Sequence, residues 1–74
     1  MVDKSLIQSR RILGIDPGVN ITGYGVLDQR ANKLMIVEAG VIRGGKAELP
    51  GKIKSIYEGI KELIDSVNPD QVAI

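Results

Sequence analysis

The sequence predicts an α/β fold made of a three-stranded antiparallel meander, one helix and the start of a further strand. Two observations carry that expectation. Apolar residues run or alternate with a strand period from Arg11 to Ile42, and beyond Arg43 they recur at the helical period of about 3.6. A third sets the scale, because 74 residues that are 43% hydrophobic but only 3% aromatic can build one small domain at most.

Arg11 to Asp16 is nearly continuously apolar and ends at a turn signal, which predicts a strand covered on both faces. Ile21 to Leu27 is β-branched and aromatic, yet contains Gly23 and Gly25, which alternation sets on one face, opposite Thr22, Tyr24 and Val26. Two glycines on one face leave room for a close neighbour. Asp28-Gln29-Arg30-Ala31-Asn32 reads as a loop, and Leu34 to Ile42 returns as the third strand.

After Arg43-Gly44-Gly45-Lys46, the residues Leu49, Ile53, Ile56, Tyr57, Ile60, Leu63, Ile64 and Val67 fall on one helical face. Pro50 suits a first turn, and Asn68-Pro69 closes the helix because a residue before proline disfavours the α region. Lys54, Glu58, Lys61 and Asp65 form the solvated face. Val72-Ala73-Ile74 begins another apolar strand at which the chain stops, so the chain reads as truncated. Residues 1–9 read as a flexible tail and residues 10–74 as the N-terminal portion of one domain. With neither a signal-peptide core nor an apolar run of membrane-spanning length, the chain is expected to be soluble and intracellular.

Composition narrows the chemistry. Without cysteine or histidine there is no disulfide, no thiolate or imidazole metal site and no Ser-His or Cys-His nucleophile. Ten basic against nine acidic residues leave a net charge of +1, too small to imply nucleic acid by itself. No Walker A or GxGxxG pattern occurs, and Tyr24 and Tyr57 read as core residues rather than stacking platforms.

Asp16 is the residue that invites a function. Asp16-Pro17-Gly18 can be read as an ordinary turn, with the carboxylate accepting a backbone hydrogen bond and Gly18 supplying a permissive conformation. Alternation also places Asp16 on the face of Ile12 and Gly14, with open space beside it. A carboxylate so placed can hold a hard divalent cation, since Mg²⁺ takes one or two carboxylates and completes its shell with water and phosphate oxygens. That chemistry requires neither His nor Cys.

The segment RILGIDPGVNITGYGVL, Arg11 to Leu27, closely resembles the N-terminal signature of the RuvC family of bacterial Holliday-junction resolvases, the crossover junction endodeoxyribonucleases. The similarity continues through GVIR at Gly40–Arg43, Glu48-Leu49-Pro50, Ile56-Tyr57-Glu58-Gly59 and Asn68 to Ile74. The resemblance implies an RNase H-like fold whose fourth strand runs parallel to the first. It maps the family's first catalytic and metal-binding carboxylate onto Asp16, and implies further acidic ligands at the end of the fourth strand and on a late helix, none of which this chain supplies. It further implies Mg²⁺, with Mn²⁺ as a substitute, and a cytoplasmic homodimer that nicks four-way junction DNA in recombination and repair beside the branch-migration proteins RuvA and RuvB. Which residues touch nucleic acid is left unassigned. Two other readings stand beside it: an inactive, self-associating fragment, and the opening segment of an actin/Hsp70-like ATPase, which also pairs a strand with an Asp and a glycine-containing hairpin.

Overall fold

The computed structural model describes residues 9–74, so the expected tail lies, but for Ser9, outside the described residues. Strands β1 (Arg10–Asp16), β2 (Ile21–Arg30) and β3 (Lys33–Arg43) are followed by helix α1 (Leu49–Val67) and strand β4 (Gln71–Ala73). The sheet order is β3-β2-β1-β4, with β1 antiparallel to β2 and parallel to β4. The expected α/β architecture is therefore present, including the parallel fourth strand.

Strand β2 runs three residues beyond its expected end. Asp28, Gln29 and Arg30 belong to the ladder, opposite Arg11, Arg10 and Lys33, and only Ala31 and Asn32 turn the chain. Turn-forming residues are held in a strand here because Arg11 donates from Nε and a terminal guanidinium nitrogen to both Asp28 oxygens, at 2.8 and 2.9 Å. A planar, two-bond pairing of this kind fixes register as well as attraction. Ala31 takes a left-handed φ of 55° to close the turn. One register shift in β3 sets Leu27 opposite Ile36 after Val26 opposite Glu38, leaving Val37 as the extra residue of a bulge.

The core lies on one side of the sheet. Leu13, Ile15 and Val26 pack with Leu63 and Val67 of α1, and Tyr24, Ile42 and Ile60 border them. Strand β1 was expected to be covered on both faces, but α1 covers only one, and Ile12 on the other is half-buried. Tyr57 was likewise expected in the core and is 66% exposed, as α1 carries a wider apolar stripe than the sheet beneath it can cover; Leu49, Ile53 and Ile64 are exposed with it. Tyr24 meets its expectation.

Helix α1 occupies the predicted span. Pro50 sits in its first turn, and Asn68 caps it in the left-handed conformation (φ 49°, ψ 62°) with its N–H donating to the Ile64 carbonyl at 2.8 Å. Asp70 then clasps β1: its N–H donates to the Arg11 carbonyl at 2.8 Å, and its Oδ2 accepts from the Arg11 N–H at 2.7 Å. Arg11 also donates to the Val67 carbonyl at 3.1 Å, tying the helix end to the same strand.

Candidate active site

Asp16 ends β1 on the face turned away from α1. Strand pairing sets Gly23 directly opposite it and Gly25 opposite Gly14, so three glycines form a floor without side chains beside the carboxylate. The space is real. A Cβ added to Gly23 would come no nearer than 3.9 Å to the Asp16 Cβ, and one added to Gly14 would lie 3.9 Å from the Gly25 carbonyl oxygen. Asp16 is exposed, and its carboxylate has no hydrogen-bond or ion-pair partner among the described residues. It is not the self-satisfied turn residue of the simpler reading.

The segment following Asp16 is fastened at several points. The Thr22 hydroxyl bonds Gly18 at both its N–H and its carbonyl. Gly44 donates its N–H to the Asn20 carbonyl at 2.9 Å, and Lys52 of α1 donates to Asn20 Oδ1 at 2.7 Å. Gly18 does not take a positive φ; it is required because any Cβ there would collide with the Ile21 carbonyl. Gly44 plays the same part under the Val19 carbonyl. These contacts join β1, β2, β3 and α1 at one end of the sheet, so Asp16 projects from a braced loop.

Thr22, wholly buried on the helix side, was not singled out from sequence as a supporting residue. The available signal was a hydroxyl at an inward position of β2, four residues after a glycine. Tyr24 donates to Glu38 at 2.7 Å on the helix side, and this bond above all, with some burial and the Glu38 charge, raises the phenol's pKa. A groove of about 430 Å³ opens between Pro17–Val19 and Ile53, Ile56, Tyr57 and Ile60, but Asp16 does not line it. The chemistry-bearing carboxylate and the apolar groove are thus separate features.

The family model described as "Crossover junction endodeoxyribonuclease RuvC" matches residues 12–74, the whole of the sheet–helix unit except its first strand residues. The chain belongs to the RuvC family. Its α/β arrangement fits the N-terminal part of that family's RNase H-like domain, and the ATPase alternative is set aside by the match. Among relatives carrying the same name, that of Aromatoleum aromaticum is 45% identical over 74 residues, covering 100% of this chain and 40% of the relative. The Paraburkholderia phytofirmans relative is 52% identical over 64 residues (86% of this chain, 36% of the relative), and that of Vibrio campbellii 51% over 63 (85% and 36%). The chain therefore spans no more than 40% of the length of these RuvC relatives.

Proposed function

We propose that this chain supplies the first catalytic carboxylate of a structure-selective endonuclease that resolves four-way DNA junctions by metal-dependent phosphodiester hydrolysis. The observation that carries the reading is Asp16 at the end of β1, unpartnered among the described residues, over the Gly14–Gly23–Gly25 floor, in a chain of the RuvC family. A hard divalent cation fits this donor: carboxylate oxygens are the ligands Mg²⁺ prefers, and the glycine floor leaves room for its waters. Mn²⁺ can serve in its place. When bound, such an ion lowers the pKa of a water and stabilises charge building on the phosphoryl group.

Asp16 contributes one ligand, and its braced loop holds that ligand's Cα in place before substrate arrives. The glycine floor admits a nucleic-acid backbone close to the sheet. Among the described residues no three potential ligands are grouped, so the remaining oxygens come from substrate phosphate and from the rest of a full-length family protein. Such a protein is proposed to work in the bacterial cytoplasm as a homodimer, making paired nicks beside RuvA and RuvB. The isolated 74-residue chain, with a single carboxylate at the site, is expected to bind Mg²⁺ weakly and to cut nothing.

The test is Asp16→Asn in a full-length protein that has these 74 residues as its N-terminal part. The amide keeps the shape but removes the charge, so cleavage should fall by orders of magnitude while junction binding persists. Near wild-type Mg²⁺-dependent cleavage by this variant would take Asp16 out of the reaction.

A further inference from the structure

Strand pairing sorts the sheet's charges between its two sides. Arg11, Asp28 and Glu38 share the helix side with Leu13 and Val26, whereas Arg10, Asp16 and Arg43 lie on the glycine side. Arg10 stands at the far end, opposite Gln29. Arg43 pairs with Ile21, two residues beyond the row in which Asp16, Gly23 and Val41 line up across β1, β2 and β3. With strands about 4.8 Å apart and about 3.4 Å of rise per residue, its Cα lies about 12 Å diagonally from that of Asp16.

Of the cations on the glycine side, Arg43 stands nearer to Asp16 than Arg10 does, and its side chain holds nothing among the described residues. Arg11 is engaged by Asp28, Arg30 by Ser9 and Lys52 by Asn20, while exposed Arg43 has no hydrogen bond or ion pair among the described residues. Its backbone is nonetheless fixed. Gly44, the next residue, is bonded to Asn20 and packed under the Val19 carbonyl, in the loop that begins at Asp16. The Cα that carries this free guanidinium is thereby held at a set distance from that of Asp16, across Gly23 and the exposed side chains of Ile21 and Val41.

We propose that Arg43 is a phosphate-positioning residue, gripping a backbone phosphate of the DNA strand a short way along from the phosphodiester that Asp16 addresses. This rests on the nuclease reading above. The guanidinium fork matches two phosphate oxygens, reads no base, and sets the register of the strand over the glycine floor. Arg43 acts through the placement of the substrate and takes no part in bond making.

The experiment measures four-way junction binding without divalent cation, across a range of salt concentrations, in the same full-length protein. Loss of one phosphate contact should make the slope of log K against log [salt] shallower by about 1. Arg43→Ala is expected to show that change with an unaltered melting temperature, and Arg43→Lys to restore the slope. An unchanged slope and affinity in Arg43→Ala would overturn the proposal. So would weaker binding accompanied by a lower melting temperature that Arg43→Lys does not repair, because Arg43 would then be a structural residue. Wild-type cleavage separates the two readings: an active, Asp16-dependent enzyme with an Arg43→Ala slope like wild type sinks Arg43 alone. A wild type that neither binds nor cuts junctions sinks both.

Discussion

The hydroxyl of Thr22 accepts a hydrogen bond from the Gly18 N–H at 3.1 Å and donates one to the Gly18 carbonyl at 2.8 Å, so one side chain satisfies both backbone groups of one residue. Thr22→Val keeps the shape and deletes both bonds. Leaving polar groups without partners costs about 1–3 kcal/mol, so the denaturant midpoint should fall at an unchanged m-value. A variant as stable as wild type would mean that water replaces the hydroxyl, and the loop would not owe its bracing to Thr22.

Arg11 and Asp28 predict a dependence on pH. The Arg11 hydrogen bonds hold the Asp28 carboxyl below its ordinary 3.8, with the Arg11 and Arg30 charges assisting and partial burial opposing. The unfolded chain therefore takes up this proton at a higher pH than the folded one. The pair's contribution is complete above the ordinary carboxylate value and is lost as the pH falls through the lowered folded value. Asp28→Asn should flatten the acid limb of the stability profile in thermal melts, and an acid limb as steep as wild type would exclude Asp28 as its source.

Gly14 offers a test of the open floor. A side chain there meets only the Gly25 carbonyl at an ordinary contact distance, so Gly14→Val is expected to fold. It should nonetheless reduce cleavage in the full-length protein by about tenfold to a hundredfold by displacing what lies beside Asp16. Lys54→Ala, on the exposed side of α1, is the control. Equal cleavage by the two variants would show that nothing approaches over Gly14.

Ala31 holds a left-handed φ of 55° in the two-residue turn between β2 and β3. A side chain in that conformation costs about 1 kcal/mol that glycine does not incur. Ala31→Gly should raise stability by up to that amount, less the greater freedom glycine gives the unfolded chain. A clear loss of stability would argue for a different turn.

Strand β4 lies at the edge of the sheet, with Val72 41% and Ile74 89% exposed. An apolar edge with unpaired backbone groups is a template for another strand. The 74-residue chain on its own is expected to sediment as a dimer or larger species, and a stable monomer at high concentration would contradict the edge argument.

The parts of this fold that were legible in the sequence are those set by period and punctuation. Leu49 to Val67 repeats every three or four residues between Pro50 and Asn68-Pro69, and α1 has those bounds. Alternation alone placed Gly14 with Asp16, and Gly23 with Gly25, on single faces. What joined the two pairs into one floor was the β1–β2 register, which depends on partners far apart in sequence. The same limit hid the length of β2, because Asp28 looks like a turn residue until Arg11 lies across from it. It also hid Tyr57, since a helical stripe shows which side is apolar but not how much sheet lies under it. Asp16 could be read as a site residue, whereas Arg43 became visible as a candidate only when Ile21 was found beside it.

The clasp between Asp70 and Arg11 joins residues 59 apart in sequence, whereas β1, β2 and β3 meet through neighbouring hairpins. Closing a long loop carries an entropy cost that grows with its length and must be met before the contact gives anything back. Only three residue pairs, Ile12–Gln71, Leu13–Val72 and Gly14–Ala73, reward that closure along the ladder. The meander and α1 should therefore assemble first and β4 dock last. In the isolated 74-residue chain the order reverses: β4 detaches most readily, and its amides should exchange with solvent well before those of β1 paired to β2. In that isolated chain the strand beside Gly14 is thus the least stable part of the sheet, and the order of the Asp16 end rests on the braced loop rather than on β4.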